Sequence, residues 1–151
     1  MNHEDFMRRA IALARNVPQA PFGAIIVRPG MGEVLANGYN QMTKNPVLHG
    51  EIDAINNCAK KYPNIDWTTL ALYTTAEPCP MCQSAILWAG IANVYYGTSI
   101  PYLKTRGWNQ IDIRADQVVQ KAPFRHCKVT GGILETECNR LFDDAAERPG
   151  K

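Results

Sequence analysis

Two short clusters bring together a histidine, a glutamate and two cysteines at spacings that suit a metal ion. The clusters are His49-Gly50-Glu51 and Pro78-Cys79-Pro80-Met81-Cys82. One imidazole and two thiolates are donors that zinc prefers, and three protein ligands leave a fourth position for water, as in catalytic zinc sites. Glu51 could then move the protons of that water. The residues therefore predict a catalytic zinc centre with His49, Cys79 and Cys82 as ligands and Glu51 as the acid–base.

Two other interpretations of the cysteine pair stay open at this point. A redox-active Cys-x-x-Cys also precedes or opens a helix, but it would leave His49-Gly50-Glu51 unexplained. A closed structural zinc site would need a fourth ligand, for which Cys58 or Cys127 is available. Replacement of Glu51 by Gln separates these cases, because only a catalytic site would lose turnover while keeping its metal.

The elements that must position these residues can be inferred from apolar periodicity and from turn residues. The pattern predicts helices at 3–15, 48–61, 80–89 and 112–120 and a closing helix that includes 133–142; it predicts strands at 22–27, 33–39, 70–74, 93–97 and 125–130. The strands at 22–27 and 33–39 form a hairpin. The alternation of strands and helices that follows indicates a mainly parallel sheet with both faces covered. The segment 98–110 is expected to be a loop over the site.

The composition is that of one globular domain covering residues 1–151. The chain is 46% hydrophobic and 20% charged, which does not resemble a disordered segment. A net charge of +2 without a basic run gives no indication of nucleic-acid binding. No apolar stretch is long enough for a membrane span, and the first nine residues lack the apolar core of an export signal. The five cysteines are therefore expected to be cytoplasmic thiols or metal ligands.

The two clusters match the H-x-E and P-C-x-x-C signature of zinc-dependent nucleobase deaminases, in which the glutamate is an acid–base and not a ligand. Over nearly its whole length the chain resembles the cytidine-deaminase-like superfamily. The resemblance implies a three-layer α/β/α sandwich with a mixed five-stranded sheet, zinc at two helix N-termini and a homodimer. It also implies hydrolysis of an exocyclic amine to a carbonyl with release of ammonia, in which Glu51 shuttles protons.

Different stretches resemble different branches of this superfamily. The segments 1–6 and 77–89 resemble bacterial guanine deaminases, 48–52 and 102–107 resemble fungal-type cytosine deaminases, and 131–141 resembles tRNA adenosine deaminases. Two features of guanine deaminases are absent from this chain. They carry an acidic residue after Gly-Phe, where this chain has Gly107-Trp108-Asn109-Gln110, and they end in an aromatic tail. The acidic segment 142–147 disfavours tRNA, because phosphate contacts dominate nucleic-acid affinity. A guanine-like aminopurine is favoured; cytosine, tRNA adenosine and a non-catalytic zinc- and heterocycle-binding module are the alternatives.

Four further residues are candidates for contact with a small heterocyclic substrate. Asn40 occupies the position of the superfamily asparagine that hydrogen-bonds the substrate ring, although a loop asparagine is also a common turn residue. Phe22, Trp88 and Trp108 could stack on a flat ring. For Phe22 and Trp88, packing in the core is an equal alternative. Cys58, Cys127 and Cys138 are expected to be small core residues.

Overall fold

The computed structural model describes residues 2–146. Met1 of the segment 1–6 and Glu147 of the acidic segment 142–147 lie outside the described residues. The described chain forms a five-stranded sheet in the order β2-β1-β3-β4-β5. The strands are β1 (Gly23–Arg28), β2 (Glu33–Tyr39), β3 (Ala71–Ala76), β4 (Asn93–Thr98) and β5 (Lys128–Thr130). The α-helices are α1 (His3–Ala14), α2 (Gly50–Lys61), α3 (Pro80–Ala89), α4 (Ile100–Thr105), α5 (Ala115–Gln120) and α6 (Glu135–Ala146).

Four strands of the sheet run in one direction, and β1 runs against them. β1 pairs antiparallel with both β2 and β3, whereas the β3–β4 and β4–β5 pairs are parallel. The predicted mixed five-stranded sheet is thus confirmed, and the mainly parallel arrangement holds for all strands except β1. The exception follows from the short connection at 29–32, since so few residues can join only antiparallel neighbours.

The helices cover both faces of this sheet, as the predicted three-layer sandwich requires. Alternate residues of β1 point to opposite faces. Ala24 and Ile26 pack in a core with residues of α2, α3 and α5. Ile25 and Val27 pack in a second core with residues of α1 and α6. Every residue of β3, the central strand, is buried.

Helix α2 lies directly against β2 at Gly38, a position with no room for a side chain. A Cβ atom on Gly38 would lie 2.3 Å from the Ala54 nitrogen and 2.4 Å from the Gly50 oxygen. These are backbone atoms, so no side-chain movement could relieve the overlap. Gly38 therefore fixes how near the N-terminus of α2 comes to the edge of β2.

The sequence-based boundaries agree with the structure to within a few residues at most elements, and one prediction was wrong. The segment 98–110 is not a continuous loop, since it contains helix α4. The side chain of Ser99 accepts a hydrogen bond from the Tyr102 nitrogen, and Pro101 occupies the first turn, where a proline is tolerated. Cys58, Cys127 and Cys138 are buried, as predicted. No helix within residues 2–146 has the length and apolar character needed to cross a membrane.

Candidate active site

The three predicted metal ligands converge, although His49 and Cys79 are 30 positions apart in the chain. The Nδ1 atom of His49 lies 3.6 Å from the sulfur of Cys79 and 3.6 Å from the sulfur of Cys82. Their three potential donor atoms all lie within 4.8 Å of one another. Zinc–sulfur and zinc–nitrogen bonds of about 2.3 and 2.05 Å, set at a tetrahedral angle, place nitrogen and sulfur about 3.6 Å apart. The donor set therefore fits a zinc ion.

Two helix N-termini hold these ligands in place. His49 is the N-cap residue of α2, and its carbonyl accepts the hydrogen bond of the Asp53 nitrogen at 2.9 Å. Cys79 is the N-cap residue of α3, with Pro80 as the first helical residue and Cys82 in the first turn. Helix N-termini carry partial positive charge, which favours thiolates. This placement agrees with what the family resemblance implies.

The structure disfavours the two alternative interpretations of the cysteine pair. Within residues 2–146, His49, Cys79 and Cys82 form the metal-ligand cluster, and neither Cys58 nor Cys127 joins it. Both of those cysteines lie in the apolar core beneath α2 and α3. A closed site with four protein ligands is therefore not formed, and a redox pair would not require an imidazole 3.6 Å from both sulfurs.

The carboxyl group of Glu51 is buried beside the three donors. Glu51 is 4% exposed and lies on the wall of a cavity that His49 and Cys79 also line. Burial raises the pKa of its carboxyl group from an ordinary value of 4.5 to about 7, and the charge of Cys79 acts in the same direction. A carboxyl group with a pKa near the operating pH is suited to accept and donate protons in successive steps. Glu51 therefore has the position and the acidity of an acid–base catalyst.

The thiol of Cys79 is stabilised in its ionised form even without a metal. A hydrogen bond from the Cys82 thiol is the largest cause that lowers the pKa of Cys79, to about 4, and a hydrogen bond from His49 adds to it. The same interaction raises the pKa of Cys82, because that thiol retains the shared proton. The hydrogen bond between His49 and Cys79 also raises the pKa of the His49 imidazole. The three side chains are thus electrostatically coupled, as expected of groups arranged to share a cation.

A cavity of about 390 Å³ opens onto the donors and Glu51. This volume lies within the range of small-ligand pockets, roughly 300–1,000 Å³. The lining residues come from five parts of the chain: Phe22; Asn40 and Met42; His49 and Glu51; Glu77 and Cys79; and the run 107–110. The site is therefore assembled at one end of the sheet, where the loops after β2 and β3 meet the segment after α4.

Three of the four predicted substrate-contact residues line this cavity. Asn40 is buried, and its side-chain oxygen accepts from the Met42 nitrogen at 2.9 Å while its amide donates to the Ala20 carbonyl at 3.3 Å. An amide bonded in this way keeps one hydrogen and one lone pair for a ligand. Phe22 and Trp108 meet edge to face with ring centroids 5.5 Å apart. Both rings also pack against Phe142, which gives the cavity a rigid aromatic wall.

The structure does not bring Trp88 into the cavity. Trp88 is 71% exposed near the C-terminus of α3, and its ring lies 5.0 Å from that of Phe124. The prediction that Trp88 contacts the substrate is not supported by this position. The alternative that it packs in the core is also wrong, because α3 presents this side chain to solvent. Helical periodicity alone did not identify the outward face, since α3 is apolar on most of its surface.

Five further cavity residues had no role assigned from the sequence: Glu77, Met42, Gly107, Asn109 and Gln110. Of these, only Glu77 carried a usable signal. A carboxylate directly before a Pro-Cys metal-binding turn, at the end of a buried strand, must find hydrogen-bond donors in the folded protein. The other four lie in irregular segments whose direction depends on their tertiary contacts.

Comparisons with known proteins agree with this geometry. The family profile described as the cytidine and deoxycytidylate deaminase zinc-binding region matches residues 1–98, which include all three donors and Glu51. The guanine deaminase of Bacillus subtilis (strain 168) is 41% identical over 97% of this chain and 99% of its own length. The tRNA-specific adenosine deaminase of Buchnera aphidicola subsp. Baizongia pistaciae (strain Bp) is 31% identical over 97% of this chain and 89% of its own length. The solved guanine deaminase from Nitrosomonas europaea shares the fold, with a TM-score of 0.86 at 22% identity over 97% of this chain and 86% of that one.

Proposed function

This chain belongs to the cytidine and deoxycytidylate deaminase family of zinc-binding proteins, and on that basis we propose that it deaminates guanine. Like other deaminases of cyclic amidines, it is a hydrolase of C–N bonds. The proposed reaction consumes guanine and water and yields xanthine and ammonia. The observation that carries it is the convergence of Glu51 with three zinc-type donors on the wall of one cavity.

In the proposed mechanism, Glu51 carries the protons. A zinc ion held by His49, Cys79 and Cys82 would supply the Lewis acidity that makes water nucleophilic near neutral pH. Glu51 accepts a proton from the attacking water and passes it to the ring nitrogen beside the amine-bearing carbon. A second transfer through Glu51 protonates the amine, which leaves as ammonia while the carbonyl forms. Because Glu51 is buried, bulk water does not compete with it for these protons.

The proposed binding mode places a flat heterocycle between the aromatic wall and the donors. Phe22 and Trp108 offer apolar ring surface, and we assign the remaining hydrogen-bonding capacity of Asn40 to the ring edge. Asn109 and Gln110, which follow Trp108 in the same lining run, carry neutral amides. Amides both donate and accept, which suits an aminopurine edge carrying N–H and carbonyl groups. The 41% identity to a guanine deaminase over nearly the full chain favours guanine among such bases.

Release of ammonia tests this proposal directly. Purified zinc-loaded protein is incubated with guanine, cytosine, adenine, their nucleosides, and aminated pterins and triazines. We expect turnover with guanine well above that with the other compounds, together with xanthine as product. Preferential turnover of cytosine would contradict the guanine assignment but not the deaminase class. Absence of turnover with every compound, at full zinc occupancy, would favour a non-catalytic binding module.

A second candidate function is deamination of an adenosine in tRNA. It is favoured by the 31% identity to a tRNA-specific adenosine deaminase. Asp143 and Asp144, near the C-terminal end of α6, and the net charge of +2 give little attraction for phosphates. An anticodon stem-loop with adenosine in its loop, assayed beside free guanine, distinguishes the two functions.

We also propose zinc as the resident metal, a homodimer, a single domain covering residues 1–151, and a cytoplasmic location. The homodimer proposal is supported by the exposed pair Trp88 and Phe124, because adjacent exposed aromatics are typical of interfaces. Replacement of Trp88 by Glu should then shift the mass measured by light scattering from dimer to monomer. The cytoplasmic location is supported by five unpaired cysteines, which suit a reducing compartment.

A further inference from the structure

Glu77, two residues before Cys79, has a carboxylate that is fully enclosed and fully hydrogen-bonded. Its side chain is 1% exposed. One oxygen accepts from the Ile100 nitrogen at 2.9 Å, and the other accepts from the Ala115 nitrogen at 2.9 Å. The Nε atom of Arg114 lies 3.0 Å from both oxygens. Because each oxygen already accepts two hydrogen bonds, Glu77 is not free to carry protons to a substrate.

The partners of Glu77 lie at the two ends of one segment of the cavity wall. Ile100 is the first residue of α4, and Ala115 is the first residue of α5. Between them runs the stretch 107–110, which carries Trp108 and lines the cavity. A single carboxylate beside the metal-binding turn thus holds both ends of the wall that faces the metal donors.

A second hydrogen bond holds the side chain of Arg114 in place. Its terminal nitrogen donates to the hydroxyl of Tyr96, on β4, at 3.2 Å. The guanidinium is therefore fixed between the sheet and the carboxylate of Glu77. Within the segment, an ion pair between Lys104 and Asp112 at 3.0 Å joins residues on either side of 107–110, but it is exposed and contributes little. The enclosed carboxylate is the stronger restraint.

We propose that Glu77 is a positioning residue that fixes the distance between the Trp108 wall and the metal donors, and so sets the affinity for the substrate. This inference rests on the proposed deaminase function for its kinetic consequence. Buried ion pairs contribute little net stability, because desolvation of both charges offsets their attraction. They do fix the relative positions of the groups they join. Here the groups joined are the turn that carries Cys79 and the segment that carries Trp108.

Replacement of Glu77 by Gln tests the proposal with little change in volume. The amide keeps one acceptor but directs N–H groups at the donors of Arg114 or Ala115. We expect KM for guanine to rise about tenfold, as the loss of one charge-assisted hydrogen bond would produce. We expect kcat to stay within about threefold and the zinc content to be unchanged, because the hydrogen bonds of Glu77 go to Ile100, Arg114 and Ala115 and not to the donors or Glu51.

The fluorescence of Trp108 gives a readout that does not depend on turnover. In a Trp67→Phe, Trp88→Phe background, the emission of Trp108 should become more accessible to acrylamide when Glu77→Gln is introduced. Arg114→Lys should have the same effect, since lysine has no planar group to bridge both oxygens. The double variant should be no worse than the more impaired single variant, because both changes break one contact. Glu33→Gln, which removes an exposed ion pair with Arg28 on β1, is the matched control and should change nothing.

Two results would overturn the proposal. One is unchanged quenching of Trp108 in both Glu77→Gln and Arg114→Lys, whatever the activity. The other is a fall in kcat or in zinc content at constant KM, which would place the role of Glu77 at the metal. Should Glu77→Gln fail to fold, Arg114→Lys alone decides. If no variant or parent turns over guanine, the proposed function fails, but the quenching and zinc measurements still decide whether Glu77 holds the wall.

Discussion

Replacement of Glu51 by Gln should abolish turnover while leaving the metal site intact. Gln has nearly the same size and shape as Glu, so the buried position can accept it without a cavity. It can form hydrogen bonds, but it cannot accept and return a proton. The three donors of the metal site, His49, Cys79 and Cys82, do not include Glu51.

The expected magnitude follows from the burial of Glu51 and from its double role. General acid–base catalysis contributes about 10²–10⁴ in rate. At 4% exposure, solvent cannot readily replace the lost group, and the same side chain acts first as acceptor and then as donor. We therefore expect kcat to fall by about 10⁴, which corresponds to roughly 5 kcal/mol in the activation free energy. KM should change by no more than about threefold, because the cavity keeps its shape.

The assay combines steady-state release of ammonia, zinc analysis by mass spectrometry and a thermal melt. Glu33→Gln is again the surface control and should keep full activity. Retention of more than about a tenth of kcat by Glu51→Gln would refute the assignment of Glu51 as the proton carrier. Loss of zinc together with activity would instead show that Glu51 supports the metal, and that outcome would also refute the assignment.

Three further predictions concern the metal, the packing of α2 and the response to pH. Removal of zinc by a chelator should lower the melting temperature, since zinc at 1,000 times its dissociation constant adds about 4 kcal/mol; an identical melt would contradict a bound metal. Gly38→Ala should lower the free energy of unfolding, measured in urea, by about 1–3 kcal/mol, the usual cost of overpacking. The control Gly30→Ala should leave it nearly unchanged, because a Cβ at Gly30 meets nothing within 4 Å. In the metal-free protein, the raised pKa of Glu51 means that its ionisation opposes folding as pH rises from 4.5 to about 7. Metal-free Glu51→Gln should therefore match the parent below pH 4 and exceed it by on the order of 3 kcal/mol at pH 8, and equal stabilities at pH 8 would contradict this.

The chemistry of the site could be predicted from the sequence because it depends on short spacings. A histidine and a glutamate two residues apart, and cysteines three apart behind a proline, keep their relative geometry once each cluster begins a helix. Helices and strands were predicted for the same reason, since their periodicity is local. The antiparallel exception, β1, follows from the shortness of the connection at 29–32.

What depended on contacts between distant residues could not be predicted from the sequence. The exposure of Trp88 reflects which face of α3 meets the sheet, and an apolar helix does not reveal that face. Helix α4 within 98–110 has local start signals in Ser99 and Pro101, but its first nitrogen, that of Ile100, also donates to Glu77, 23 residues away.

The sequence by itself identified the candidate donors and the candidate acid–base, because the spacing within each of the two clusters is local. Only the tertiary structure decided the shape of the cavity and the role of Glu77. A buried carboxylate must find donors, but which donors it finds depends on how β3, α4 and α5 pack, and that is a property of the whole fold.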